Sequence, residues 1–400
     1  DIVIPRSLEF QDHEYIITSI GEGSFKNNKR IKSIHFPNDS ELLSICSEAF
    51  SSSSLESLSI PSKVNELKDG WCKGASKLNH ISISPDNKNY KYQDDRFILS
   101  KSDKKSAIFD LLIFCRRDAE EATVPKNIKR VCSYSFSECY RLKTINISIH
   151  AELTIIDPYS FSQTSIKSIS LPPKLQQIGQ RAFYCCFFLT SIGVDEDSEL
   201  VSIGSEAFDG TNLRSFVIPS KVTKLEEGWC KGTRNLTYIS VLPNNKYFKY
   251  QDDLYVIGKT NENDKNYENL VFCRRDVSVA NVPSYIKTIC PYSFSECKYL
   301  RKVNFTAESN LTKIDKYSFA LSSIEEISIP KNVNEIGMNS FYGCKRLRLV
   351  EFSNESDLQV IDAFSFTSTS VQNIAIPKKV KSIGDSSFSG CNKLQTVTIP

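Results

Sequence analysis

Along this chain apolar and polar positions follow a short phrase that recurs from end to end. It consists of an apolar-Pro pair, Val or Ile, Ile followed by Gly, Asp or Cys, an aromatic, and then Leu-x-x-Ile-x-Ile. The phrase occurs thirteen times, with aromatic anchors at Phe25, Phe50, Trp71, Phe136, Phe161, Phe183, Phe208, Trp229, Phe294, Phe319, Phe341, Phe366 and Phe388. Anchor spacings are 21, 22 or 25 residues except for two gaps of 65. In Leu142-Lys-Thr-Ile-Asn-Ile147 and Leu213-Arg-Ser-Phe-Val-Ile218 the last part alternates apolar and polar, which predicts a short half-buried strand. Proline then stops it, as at Pro61, Pro172, Pro219, Pro330 and Pro377, because proline lacks the N–H a ladder interior needs. A unit of about 20 residues with one strand and one aromatic cannot bury its own apolar face. Stacking is therefore required, and the strands line up as a parallel sheet, roughly 60 Å long if they stand about 4.8 Å apart.

A longer period lies above the first. Phe25 to Phe183, Phe50 to Phe208, Trp71 to Trp229 and Phe136 to Phe294 are each 158 residues apart. Residues 61–74 and 219–232 share ten of fourteen positions, an internal duplication that sets register. The chain is thus read as a single repeat domain over 1–400 of about thirteen units, with insertions at about 85–121 and 243–279. The insertions are copies of one another, running from Asn89 to Asp118 and from Tyr247 to Asp276. Aromatic and β-branched runs flank Gln93-Asp94-Asp95 and its copy, so each insertion is read as a β-hairpin excursion protruding from one solenoid edge. The polar links at 100–106 and 259–269 are the expected mobile or protease-sensitive spots.

The run from Ile376 to Ile399, Ile-Pro-x-x-Val-x-x-Ile-Gly-x-x-Ser-Phe-x-Gly-Cys-x-x-Leu-x-x-Val-x-Ile, resembles the BspA-type leucine-rich repeats found in surface proteins of mucosal bacteria and parasitic protozoa. The resemblance covers nearly all of the chain; the two Trp anchors and the insertions depart from it. It implies a repeat solenoid: a leucine-rich-repeat horseshoe or right-handed superhelix with a parallel concave β-sheet, an irregular, turn or 3₁₀ convex side, and two β-hairpin insertions. It also implies a secreted or cell-surface adhesion or protein-interaction module that binds a protein or glycoconjugate on a host cell or matrix. Cytoplasmic placement, as a scaffold or self-assembling repeat protein, is the alternative.

Composition narrows the remaining classes. The chain has 400 residues, 40% apolar and 24% charged, which places it among globular rather than disordered sequences. Fifty Lys and Arg against 47 Asp and Glu leave +3 with no long run of one sign, which argues against a nucleic-acid or polybasic membrane surface. No apolar stretch approaches eighteen residues, and the chain opens at Asp1-Ile-Val-Ile-Pro5, so any signal peptide or anchor is expected outside it. The last repeat runs to Thr398-Ile399-Pro400 without a polar capping unit, so self-association through sheet ends is a further expectation.

Candidate chemistry is sparse. Cys139, Cys186, Cys297, Cys344 and Cys391 all lie three residues after the anchor, while Thr164, Thr211, Ser322 and Thr369 hold that place in intervening units. Such a row predicts small buried thiols too far apart to join, roughly 10 Å. The pairs to test for bonding are Cys115 with Cys132 and Cys273 with Cys290, which flank the end of each insertion. Cys-Arg-Arg-Asp at 115–118 and 273–276 is read as a strand end with surface ion pairs, and Asp94-Asp95 and Asp252-Asp253 as turn residues. The histidines His13, His35, His80 and His150 fall in unrelated phases, and no hydrolase, zinc, P-loop or dinucleotide motif appears. A non-enzymatic protein without metal or cofactor is therefore expected.

Six sequons occur, about as many as chance supplies in a chain this rich in Asn, Ser and Thr. Asn38, Asn310 and Asn354 follow strands in exposed-looking loops and are the candidate glycosylation sites; Asn146 and Asn304 sit within strands, and Asn235 is the sixth. Binding is expected on the non-core strand positions, a mostly small and polar row from His35 and Ser59 to Ala375 and Thr398. Within it Arg214, Val217 and Tyr238 form one candidate anchor, and Arg301, Lys302, Arg348 and Leu349 a second patch.

Overall fold

The computed structural model describes residues 1–399. No helix occurs among them, and the chain divides into two compact units, Asp1–Thr211 and Asn212–Pro400. Both are solenoids of parallel strands, as the repeat phrase requires.

In the first unit the Leu-x-x-Ile-x-Ile segments form a long-strand ladder. Ile2–Val3, Ser33–His35, Ser57–Ile60 and His80–Ile83 pair in parallel with Ile34, Leu58 and Ile81 in register. Beyond the insertion Glu121–Thr123 pairs with Thr144–Asn146, and Ser168–Ser170 with Ser191–Gly193. Each buries its middle isoleucine, leucine or alanine and turns the flanking residues outward. In the second unit Val279–Asn281, Lys302–Asn304, Glu326–Ile329, Leu349–Phe352, Asn373–Ala375 and Thr396–Thr398 form the longest such ladder.

The opposite side of each repeat carries turns and, in addition, a second parallel ladder of two-residue strands. Arg130–Val131, Ile155–Ile156, Gln177–Ile178 and Ser202–Ile203 form it in the first unit. Thr288–Ile289, Lys313–Ile314, Glu335–Ile336, Val360–Ile361 and Ser382–Ile383 form it in the second. Two residues are too few to show a period of two, so nothing in the polar pattern announces them.

Between the ladders the aromatic anchors stack along the axis of each unit. Phe136, Phe161 and Phe183 lie 4.8 and 5.3 Å apart, ring planes within 12°. Phe294, Phe319, Phe341, Phe366 and Phe388 follow at 4.8 to 5.4 Å, within 7°. Backbone bonds hold this spacing: Phe136, Phe161 and Phe183 donate to Ser160, Ala182 and Ala207 of the next repeat at 2.8 to 2.9 Å. The flanking residues two before and two after the anchor, such as Tyr134, Glu138, Tyr159 and Gln163, take left-handed φ values of 58 to 62°. That arrangement aims every second N–H group at the neighbouring repeat while those between bond locally, and the bonds offset the steric cost.

One row of polar atoms contributes nothing to this packing. The hydroxyls of Ser135, Ser160, Ser318, Ser340 and Ser365, each just before an anchor, are buried with no partner among the described residues. Ala49, Ala182 and Ala207 fill the same place elsewhere. Ser340→Ala is therefore expected to leave stability unchanged or raise it by up to about 1 kcal/mol, because an unpaired buried hydroxyl is removed. Urea unfolding checks this: a loss above about 1 kcal/mol would mean the hydroxyl has a partner after all.

The insertions overturn one expectation: they do not protrude. Lys91–Gln93, Phe97–Ser100 and Leu111–Cys115 make an antiparallel meander whose last strand pairs in parallel with Arg130–Val131, so the insertion starts the sheet that continues through Arg130–Val131, after an earlier three-stranded piece of Ser19–Ile20, Ser44–Ile45 and Glu66–Leu67. Phe248–Gln251, Tyr255–Gly258 and Asn269–Cys273 repeat this against Thr288–Ile289. Phe97, Ile98, Leu99, Phe114 and Cys115 are fully buried. Their aromatics also continue the anchor stack, Phe114 beside Trp71 at 5.8 Å and Phe97 beside Phe136 at 6.1 Å. Turn chemistry at the tips is as read: Asp94 and Asp95, and Asp252 and Asp253, all have φ near 50°, closed by Arg96 N–H to Gln93 O and Leu254 N–H to Gln251 O. A hairpin outside the repeat phrase, Ser7–Phe10 with His13–Ile16, is closed through Gln11 and Asp12, both left-handed.

Candidate functional site

The long-strand ladder presents its outward side chains as a broad surface, and its character differs between the units. In the first unit the outward positions are mostly small hydroxyls, Ser59, Ser82, Thr123, Thr144, Ser168 and Ser170, beside His35, His80 and Glu121. Two shallow hollows of about 540 and 560 Å³ lie over them, one lined by Asn38, Ser59, Ser82 and Asp86, the other by Thr123, Asn146, Ser148 and Ser170. Short side chains leave the backbone close to the surface, which makes these hollows wide and wet rather than enclosed.

The second unit carries larger groups. Tyr238 is 62% exposed, and the register places Ser215 opposite it and Ser240 opposite Val217. Arg214 immediately precedes the strand, is exposed, and its carbonyl accepts the N–H of Tyr238 at 3.1 Å. The first candidate anchor is thus brought together on one exposed strand pair. The second patch is assembled too, but its cations are paired. Arg301 meets Glu325 at 2.5 Å and Lys302 meets Glu326 at 2.6 Å, while Arg348 reaches Glu325 at 3.4 Å. Leu349, 40% exposed, lies in register with Glu326. Ser328 donates to Glu351 at 2.8 Å, and Asn304 to Asn281 at 2.8 Å. This part of the face is a mesh of mutually satisfied polar groups with an apolar residue set into it, not a free cationic patch. The signal was present in the repeat spacing, since Glu325 follows Arg301 by one repeat length.

Asn38 and Asn354 are exposed in turns and Asn310 is exposed just after one, and Asn38 also lines the first hollow. Asn146 is exposed and Asn304 half-buried within their strands. His35 and His80 lie on the outward face, His13 in the hairpin and His150 in a turn. Among the described residues no group of three or more His, Cys, Asp or Glu is placed to hold a metal ion, and no helix is long and apolar enough to cross a membrane.

The Cys-Arg-Arg-Asp segments follow the sequence reading only in part. Arg116 makes the expected surface pairs, with Asp95 at 2.7 Å and Asp118 at 2.8 Å, and Arg274 pairs with Asp276 at 2.7 Å. The second arginine of each segment, Arg117 and Arg275, is instead buried in the core. All thirteen cysteines are free thiols, and Cys115 faces Cys139 rather than Cys132.

Comparison with known proteins places this architecture. A family model described as BspA type leucine rich repeat region matches in six copies over residues 6–102, 110–237 and 265–395. The pneumococcal vaccine antigen PcpA is similar in structure at 19% identity, with a TM-score of 0.53, covering 99% of this chain and 71% of that one. A leucine-rich cell surface protein of Faecalibacterium prausnitzii matches at 18% identity and TM-score 0.53, over 99% of this chain and 86% of that one. A leucine-rich repeat protein of Eubacterium ventriosum matches at 23% identity and TM-score 0.54, over 71% and 74%. No curated protein matches the chain.

Proposed function

The chain belongs to the BspA-type leucine-rich repeat family, and from that premise we propose that it is a non-enzymatic adhesion and protein-interaction module of the cell surface or secreted milieu. The observation that carries this reading is the outward face of the long-strand ladder. It is extended and open, offers hydroxyls and amides across the first unit, and exposes Tyr238 beside Val217 and Arg214 in the second. A surface of this kind suits a broad contact with a macromolecule, a host protein or glycoconjugate, better than a small molecule held on all sides. Tyr and Arg are the side chains that most often dominate such contacts, since each presents a large rigid area and a polar end. The two similar proteins described as a vaccine antigen and a cell surface protein support an extracellular setting.

The test is binding of the labelled chain to epithelial cells and immobilised matrix proteins, against an unrelated repeat protein of similar charge. Saturable binding above that control is expected, and Arg214→Ala with Tyr238→Ala together should weaken it about tenfold or more. Tyr299→Ala serves as the control, because Tyr299 is 53% exposed but lies in the turn after an anchor. Binding at the level of the unrelated protein overturns the adhesion reading. An unchanged affinity in the double variant moves the contact off Arg214 and Tyr238.

A further inference from the structure

Three of the cysteines that follow an anchor have the same surroundings. Cys186, Cys344 and Cys391 meet Thr164, Ser322 and Thr369 of the preceding repeat at 3.2 to 3.4 Å. They also reach the carbonyls of Phe161, Phe319 and Phe366 at 2.9 to 3.1 Å. Cys139 and Cys297 come directly after the insertions, where no such hydroxyl precedes them, and each meets a buried arginine instead.

Arg117 is 3% exposed. One terminal nitrogen donates to Ser135 O at 2.9 Å and lies 3.6 Å from Cys139 Sγ; the other donates to Tyr134 O at 3.2 Å and lies 3.7 Å from Cys72 Sγ. The guanidinium sits over the Phe114 ring at 4.6 Å, and its Nε has no partner among the described residues. Arg275, 1% exposed, repeats the arrangement with Ser293 O at 2.9 Å, Cys297 Sγ at 3.5 Å, Tyr292 O at 3.3 Å, Cys230 Sγ at 3.9 Å and Phe272 at 4.6 Å. No carboxylate among the described residues forms an ion pair with either arginine.

An arginine stays protonated at any working pH, and a buried charge is costly unless something compensates it. Backbone carbonyls supply dipoles here, but the groups in contact that can carry a negative charge are thiols. Cys139 is the best placed. Its sulfur and that of Cys115 each lie 3.6 Å from the same Arg116 carbonyl oxygen, and the two thiols interact directly. Cys297 and Cys273 likewise interact directly, with Cys297 Sγ 3.8 Å from the Arg274 carbonyl oxygen.

We propose that Cys115 with Cys139, and Cys273 with Cys297, are two redox-active pairs in which the second cysteine, held between its partner thiol and the buried arginine, is the nucleophile and the first closes a disulfide. Each disulfide would tie an insertion to the repeat that follows it. The oxidant is a small disulfide such as oxidised glutathione. The Cys139 thiolate attacks one of its sulfurs, the S–S bond breaks, and one glutathione leaves as thiolate. Cys115 then gives up its proton, its sulfur attacks Cys139 Sγ, and the second glutathione leaves. Two protein thiols are oxidised and one external disulfide is reduced to two thiols. Because both sulfurs are buried, the exchange passes through local opening of the junction.

Burial acts to raise the Cys139 thiol, but its hydrogen bond with Cys115 and the charge of Arg117 outweigh burial and hold it below the ordinary thiol range; Cys297 behaves alike beside Cys273 and Arg275. Cys186, equally buried but without an arginine, is pushed up to about 11 by burial. Cys72 and Cys230, which touch the same arginines but have no such partner thiol, are also pushed up to about 11 by burial, so it is the partner thiol together with the arginine that sets Cys139 and Cys297 apart.

The whole chain, reduced and then equilibrated with a graded series of oxidised to reduced glutathione, is quenched by alkylation and mapped by peptide mass spectrometry. Crosslinked peptides Cys115–Cys139 and Cys273–Cys297 are expected, with Cys186 and Cys344 recovered free. Cys115→Ser should trap Cys139 as its glutathione mixed disulfide. Arg117→Met should slow modification of Cys139 about tenfold at pH 7 while leaving Cys297, the internal control, unchanged. Cys139 and Cys297 remaining free at every ratio, or reacting no faster than Cys186, overturns the proposal. Should Arg117→Met fail to fold, the unmodified sequence still decides. Modification of Cys139 and Cys297 that levels off near neutral pH supports the pairs, and a rate that climbs through pH 9 as for the other thiols overturns them.

Discussion

Phe341→Ala is expected to destabilise the second unit by about 3–5 kcal/mol, the cost of deleting a fully buried aromatic from a core that cannot collapse around the gap. Phe341 is fully buried and lies 5.0 Å from Phe319 and 5.1 Å from Phe366, with ring planes within 3° of both. Its backbone is also fixed: its N–H donates to Ser365 O at 2.8 Å, and the carbonyl of the adjoining Ser340 accepts the N–H of Phe319 at 2.8 Å. The repeats on either side are held at the ladder spacing by three sets of backbone bonds, so they cannot close on an alanine. Denaturant unfolding should show the midpoint falling with the slope unchanged. A loss below about 1.5 kcal/mol would mean that the stack carries far less of the packing than its geometry indicates.

Gly337→Ala, in the same repeat, is expected to cost about 1–3 kcal/mol by crowding rather than by a cavity. A Cβ at Gly337 would stand 2.7 Å from Lys316 N, 2.9 Å from Asp315 C and 3.2 Å from Ile314 O. All three are backbone atoms of the preceding rung of the second ladder, so no side chain can swing aside. The rung itself must separate, which weakens the pairing of Glu335–Ile336 with Lys313–Ile314. Hydrogen exchange gives the sharper reading: the amides of Asp315 and Gly337, bonded to Ile289 O and Ile314 O, should lose protection before those of the long-strand ladder. Equal protection with unchanged stability would show that the ladder has more slack than these distances allow.

Much of the fold was legible before any coordinates. The anchor spacing fixed the stack, and the alternation at Leu-x-x-Ile-x-Ile fixed both the strand and its outward row. The 158-residue duplication gave the insertions as a matched pair, and the structure repeats four of the guanidinium contacts of Arg117 around Arg275. Even the third-position cysteines were readable as buried thiols, and Cys186, Cys344 and Cys391 are just that.

The misses share a cause. The two-residue strands of the second ladder are shorter than any periodicity can reveal. The insertions were read as excursions because their length breaks the repeat, although Phe97-Ile98-Leu99 is a run with no polar alternation and belongs in a core. At the candidate site, Arg301, Lys302, Arg348 and Leu349 are grouped by strand position alone, and the pairing of the three cations with Glu325 and Glu326, one repeat away, is what the register adds.

Arg116 and Arg117 show most plainly where the division lies. Local pattern and periodicity determined that this chain is a solenoid, where its rungs fall and which strand positions face out, because those depend on residues a fixed distance apart along the chain. Which of two adjacent, chemically identical arginines is solvated and which is enclosed by Cys72, Cys115 and Cys139 depends on contacts 45 and 22 residues away for two of those thiols. Only the tertiary structure decides that, because burial of a charge is settled by the groups that close around it and not by its neighbours in sequence.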